Sequence, residues 1–153
     1  MQQNQVNWIL NIGAGTWTSG PTETSPEAES SSNQLSNNAR VLDCTSCSGD
    51  KSVGYVGGTS SPGGTITFPN ISSNSGGWTT IRVHATNGDK GQRYANVIVN
   101  GQSQVLAFLP TKDGNSAAAS VLNVQLNQGS GNTIRIEGVN AGWGMYWFPL
   151  LFR

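Results

Sequence analysis

A chain of 153 residues is long enough for one domain with a proper core, without a metal or a disulfide staple being obligatory. Only 10% of its residues are charged and the formal net charge is zero, which removes the basic stripe a nucleic acid requires, and no apolar run approaches the length that spans a bilayer. What remains is a surface rich in Gly, Ser, Thr and Asn with five Trp, suited to a neutral polar ligand such as a sugar and common among extracellular β-proteins.

Residues 1–26 read as a segment of their own. Asn7–Ile12 forms one possible strand, and Gly13–Pro26 is a Gly/Thr/Ser/Pro-rich linker or a loosely attached extra strand. The opening MQQNQVNWIL has neither the basic start nor the long apolar centre of a signal peptide, so the expectation is a piece of a longer secreted protein. The domain proper is expected over 27–153, opening on Glu27-Ala28-Glu29. Short strands follow at Ala39–Asp43 and Ser52–Val56, the latter carrying Tyr55, and the loop Gly57–Gly64 separates them from Thr65–Phe68, with Ile66 and Phe68 inward. Asn70-Ile71-Ser72 is an N-glycosylation tripeptide in a loop, compatible with secretion but frequent by chance.

Trp78 starts a long strand into the stretch Ile81–Pro110, which alternates with period two. Its breaks are NGDKG and Asn100-Gly101, both turn chemistry, the second a strong hairpin signal. This predicts an antiparallel meander at the centre of the protein. Asp113 marks the tip of the next loop. Val121–Leu126 places Leu122, Val124 and Leu126 on one face, Thr133–Glu137 turns Ile134 and Ile136 inward, and Met145–Phe152 is a final apolar strand after the loop NAGWG. Strands at this spacing, with no convincing helical period, predict an all-β sandwich or barrel.

Cys44 and Cys47 lie in DCTSCSGD. A zinc site needs two further ligands and the sequence offers one His; a redox CxxC needs a βαβ context; a short structural disulfide pinning a loop is the favoured reading and implies an oxidising setting. No pair of carboxylates is marked out for glycosidase chemistry, and His84, on the polar face of a strand, is a poor partner for a Ser nucleophile. Glu27 and Glu29, at i and i+2, share a face if the segment is a strand. Two hard carboxylates side by side suit calcium, and equally describe a solvated strand face. Trp143 between two glycines beside Asn140 reads either as a sugar-stacking platform or as a cap on the core. Tyr55 is similar, with a lean to core packing, and Trp147 and Phe148 read as core.

Residues from about Glu27 to Arg153 resemble a family 35 carbohydrate-binding module of the fungal kind appended to secreted galactan- and galactoside-degrading enzymes. The resemblance rests on EAE (27–29), CTSCSGDKSVGYVGG (44–58), NGDKGQRYANVIVNG (87–101), LAFLPTKDGN (106–115) and EGVNAGWG (137–144). It implies a jelly-roll β-sandwich of two antiparallel sheets, without catalysis, as a monomer on a larger enzyme, with no nucleic-acid or membrane partner. It implies a structural Ca2+ at Glu27 and Glu29, and a sugar site at Tyr55, Asp113 and Asn140, with Trp143 as a stacking neighbour. The chain departs from the family at its last strand, where Phe148 stands near the Asp that helps hold the ion. The expected ligand is a polysaccharide or oligosaccharide, galactose-containing or with uronic-acid ends. A structural domain that packs on a catalytic partner without binding sugar, and a small hydrolase, are the rival readings.

Overall fold

The computed structural model describes residues 26–57, 63–112 and 116–139. The strands expected at Asn7–Ile12 and Met145–Phe152, and the segment 1–25 ahead of the domain, lie outside them. Nine strands are present among the described residues: β1 Gln34–Ser36, β2 Arg40–Asp43, β3 Lys51–Gly54, β4 Thr65–Ser73, β5 Gly77–Ala85, β6 Arg93–Val99, β7 Gln102–Phe108, β8 Ala118–Leu126 and β9 Gly129–Gly138. β1-β4-β9-β6-β7 form a five-stranded antiparallel sheet; β2-β3 and β5-β8 form two further antiparallel pairs. The architecture is the all-β jelly-roll sandwich.

Period-two alternation does what the sequence predicts. Ile66 and Phe68 from β4, Ala95, Val97 and Val99 from β6, Leu106 and Phe108 from β7, and Ile134 and Ile136 from β9 point to one side of their sheet. Val83, Ala85, Val124 and Leu126 from the β5-β8 pair meet them in a single cluster, with Leu122 packed at its margin. Apolar side chains removed from water at this interface hold the layers together. Ser120 Oγ on β8 donates to the Ala107 carbonyl at 2.9 Å, and Gln104 Nε2 on β7 donates to the Asn123 carbonyl at 3.2 Å, so hydrogen bonds also tie β7 to β8.

The hairpin signal holds. Asn100 and Gly101 have φ of 49° and 86°, and Val99 pairs with Gln102 across them, the primed two-residue turn that matches strand twist. The meander does not extend back to β5. That strand pairs with β8 along its whole length, and 86–92 carries the chain across to the other sheet instead of folding it back as a hairpin. The cause is Asn87, which is 1% exposed. Its Nδ2 donates to the carbonyls of Gly91 (2.9 Å) and Phe108 (3.0 Å), its Oδ1 accepts from Asp89 N–H (3.1 Å), and its carbonyl accepts from Thr111 N–H (2.8 Å). An arch rather than a hairpin results. Two smaller corrections concern the site residues. β3 ends at Gly54, so Tyr55 lies beyond the strand, with φ of 62°. Glu27 is a lone bridge residue and Ala28-Glu29 a turn, so the two carboxylates do not share one strand face: Ser30 N–H bonds the Glu27 carbonyl at 3.2 Å and closes the turn. The run SSSN supplies the turn chemistry, with Asn33 Nδ2 donating to the carbonyls of Glu27 and Ala28 at 2.7 and 2.9 Å.

Candidate functional site

Register alone gathers one set of loops. Thr65 faces Glu137, Ala95 faces Gly138, Arg93 faces Phe108, and Ala85 faces Ala118. The start of β4, the end of β9, the start of β6, the end of β7, the end of β5 and the start of β8 therefore share one end of the sandwich. Ser36 opposite Thr65 brings β1 to the same rim. Gly64 brings β2 and β3: a Cβ on it would lie 2.1 Å from the Tyr55 carbonyl oxygen and 2.7 Å from Ala39 N, so only glycine admits this approach. Gly57 and Gly64 exchange N–H···O bonds of 2.7 and 2.8 Å, and Asn37 Nδ2 holds the Gly63 carbonyl at 2.8 Å.

Tyr55 is half-buried at this rim, and the Arg40 guanidinium lies 4.1 Å over its ring. A cation over the ring contributes about 0.5–1 kcal/mol at an exposed position. Arg40 escaped the sequence reading because it is the first residue of a short strand; its place opposite Gly54 is a product of pairing. Asp113, Asn140 and Trp143 lie outside the described residues. Described residues close to them in sequence are anchored at this rim: Thr111 by its two-way bonding with Asn87, and Val139 by its N–H to the Tyr94 carbonyl at 3.3 Å. The arch between is braced by Asp89, which accepts from Arg93 Nε at 2.9 Å and from a second guanidinium nitrogen of the same side chain.

A second constellation lies at the turn of the paired glutamates. Ala28 between them is 1% exposed and anchors the turn in the core. Glu27 Oε1 accepts from Ser48 Oγ at 3.0 Å, while its Oε2 is buried with no hydrogen-bond partner among the described residues. Gly49, at φ of 64°, brings its backbone so near Glu29 that a Cβ would stand 3.2 Å from Glu29 Oε1. Both carboxylates thus converge on the Ser48–Asp50 turn. A buried carboxylate oxygen without a donor is costly unless a cation meets it, so these residues fit a hard divalent ion. The Cys44–Cys47 disulfide is formed, with Cα atoms 5.4 Å apart, and fixes that turn together with Cys44 N–H to the Asp50 carbonyl at 2.9 Å. Phe148, at the family's missing Asp, lies outside the described residues.

No family model matches the chain, and no curated protein matches it significantly. Solved structures do. A family 35 carbohydrate binding module from Clostridium thermocellum superposes with a TM-score of 0.76 at 26% identity, over 85% of this chain and 97% of that one. The fold is that of a family 35 carbohydrate-binding module. A family 35 module from Paenibacillus barcinonensis agrees in fold, with a TM-score of 0.69 at 20% identity over 85% of this chain and 98% of that one. An exo-β-1,3-galactanase from Phanerochaete chrysosporium, solved with β-1,3-galactotriose, matches with a TM-score of 0.74 at 30% identity over 88% of this chain. The module spans 30% of that enzyme's chain. Family 35 modules are non-catalytic, and the chain is a carbohydrate-binding module rather than an enzyme on that ground.

Proposed function

We propose that this module binds the ends of galactose-containing chains, of the β-galactan or arabinogalactan type, at the rim that holds Tyr55, and that it keeps an attached glycoside hydrolase at its polymer. The observation that carries the reading is the register: every loop bearing a proposed contact, Tyr55, Asp113, Asn140 or Trp143, springs from strand ends at one end of the sandwich. The likeness to part of a galactanase supports the choice of sugar. The chemistry suits a terminal sugar, with an aromatic face for its CH surface, a carboxylate to accept from hydroxyls and an amide that donates and accepts. Binding on the order of tenths of millimolar to millimolar, about 4–5 kcal/mol, suffices, because attachment to an enzyme converts it into a high effective concentration at the polymer surface. Secretion and a monomeric state belong to this reading. A structural Ca2+ held by Glu27 and Glu29 belongs to it as well: the ion neutralises the two carboxylates and stiffens the turn. Uronic-acid ends are a second reading, favoured by one observation, the Arg40 guanidinium exposed beside Tyr55.

Affinity electrophoresis in gels containing β-galactan tests the proposal. The wild type is expected to be retarded, and Tyr55→Ala, Asp113→Ala and Asn140→Ala to run free. Equal retardation of all three variants removes the rim as the site, and no retardation of the wild type on any galactan or uronate polymer leaves the domain as a packing element.

A further inference from the structure

Asn70-Ile71-Ser72 is the one Asn-X-Ser/Thr tripeptide of the chain. β4 keeps step with β9 as far as Phe68 opposite Ile134, and the next pair is Ile71 opposite Asn132. One extra residue therefore stands on β4 between Phe68 and Ile71, a bulge containing Pro69 and Asn70, with Asn70 at φ of 58°. The bulge sorts the tripeptide by chemistry. Ile71 packs against the core, whereas Asn70 and Ser72 are exposed. The Asn70 carboxamide makes no hydrogen bond among the described residues. Other asparagines of the chain spend their side chains on structure, as Asn87, Asn100 and Asn132 do; this one is free for modification.

We propose that Asn70 is an N-glycosylation site whose oligosaccharide stands away from the ligand rim. In the transfer, Asn70 Nδ2 forms a bond to the anomeric carbon of an oligosaccharide carried on a lipid pyrophosphate. The bond from that carbon to the pyrophosphate oxygen breaks, the lipid pyrophosphate leaves, and Nδ2 gives up one proton. Two features give the glycan a use in the fold. β1 pairs with β4 only at Thr65–Thr67, so beyond that point the outer edge of β4 carries no strand among the described residues. An open edge invites pairing with another chain, and a bulky hydrophilic group at Asn70 blocks it, reinforcing Pro69 and the bulge. The position also spares the site: Asn70 is five residues beyond Thr65, roughly 17 Å along the strand from the rim.

The inference rests on the secreted reading and not on sugar binding, and the test separates the two. The full chain is secreted from yeast behind a supplied leader peptide, and its mass is measured before and after peptide N-glycosidase. The expected result is a heavier product that falls to the mass of the bare chain with Asn70 converted to Asp, while Asn70→Gln and Ser72→Ala each emerge unmodified. A wild type secreted without glycan overturns the proposal, as does a glycan that persists in both variants. Retardation on galactan, measured on the same samples with and without the glycan, is expected to be equal. A glycosylated protein that is never retarded defeats the binding reading alone. A retarded protein that carries no glycan defeats this one alone.

Discussion

Two buried asparagines sit at opposite ends of the sandwich, and replacing each with alanine separates rim geometry from general stability. Asn87→Ala removes three side-chain bonds, to the carbonyls of Gly91 and Phe108 and from the Asp89 N–H. At about 1 kcal/mol net per bond the cost is about 3 kcal/mol, and for a domain of this size a fall in Tm of about 10 °C. Asn132, 0% exposed, donates to the carbonyls of Ile71 (3.0 Å) and Asn127 (2.8 Å) and accepts from Asn127 N–H and Asn100 Nδ2, both at 2.7 Å. Asn132→Ala is therefore expected to lower Tm at least as much. The two differ in what they loosen. Asn87 positions the arch 86–92 and, through Thr111, the root of the loop that carries Asp113; Asn132 ties the β4 bulge and the β6–β7 turn at the far end. Thermal melts by circular dichroism and affinity electrophoresis at a temperature well below both midpoints give the comparison. Asn87→Ala is expected to lose tenfold or more in affinity for the retained glycan, and Asn132→Ala to bind as wild type. Equal affinity for the two variants refutes the claim that Asn87 builds the rim.

Calcium at Glu27 and Glu29 predicts a lower Tm in chelator: an ion at a hundred times its Kd contributes about 2.7 kcal/mol to the folded state, and Glu27→Gln should abolish the shift. An unmoved midpoint counts against the ion. Cys44→Ser with Cys47→Ser opens a very short loop and should cost about 2 kcal/mol, with a weaker calcium response because the Ser48–Asp50 turn is no longer pinned; an undiminished response means the turn holds without the bridge. Arg40→Ala should lose retention on uronate-bearing polymers and keep it on neutral galactan; equal loss on both would mean that the guanidinium acts only by holding the Tyr55 ring. Lys51 lowers the pKa of the Asp43 carboxyl, and Asp43 raises that of the Lys51 ammonium, chiefly through the hydrogen bond between them. A depressed carboxyl stabilises the fold above its ordinary pKa and loses this as pH falls through its lower folded value; a raised ammonium loses it as pH rises through its higher one. Asp43→Asn should then differ from wild type by a small constant amount at neutral pH, and the difference should shrink as acid titrates the Asp43 carboxyl and as strong alkali titrates the Lys51 ammonium.

Alternation is a local property, and on β4, β6 and β9 it held. Ile66 and Phe68, Val97 and Val99, Ile134 and Ile136 are inward because successive side chains of any strand point to opposite faces, whatever its neighbour. The Asn100-Gly101 turn and the Cys44–Cys47 bridge are equally local, their partners being within a few residues. Gln34–Ser36 was missed because three residues show no period, and Glu27–Glu29 became a turn because Ser30 and Asn33 bond its carbonyls. The strand-rich class, the faces and the likeness to family 35 modules were written in the chain itself. Which strand β5 pairs with, that Arg40 lies over Tyr55, and that Glu27 and Glu29 converge on Ser48–Asp50 were decided only in three dimensions. Each depends on residues far apart in sequence, brought together by a buried asparagine, a glycine without room for a Cβ, or a core that lets one sheet cover another.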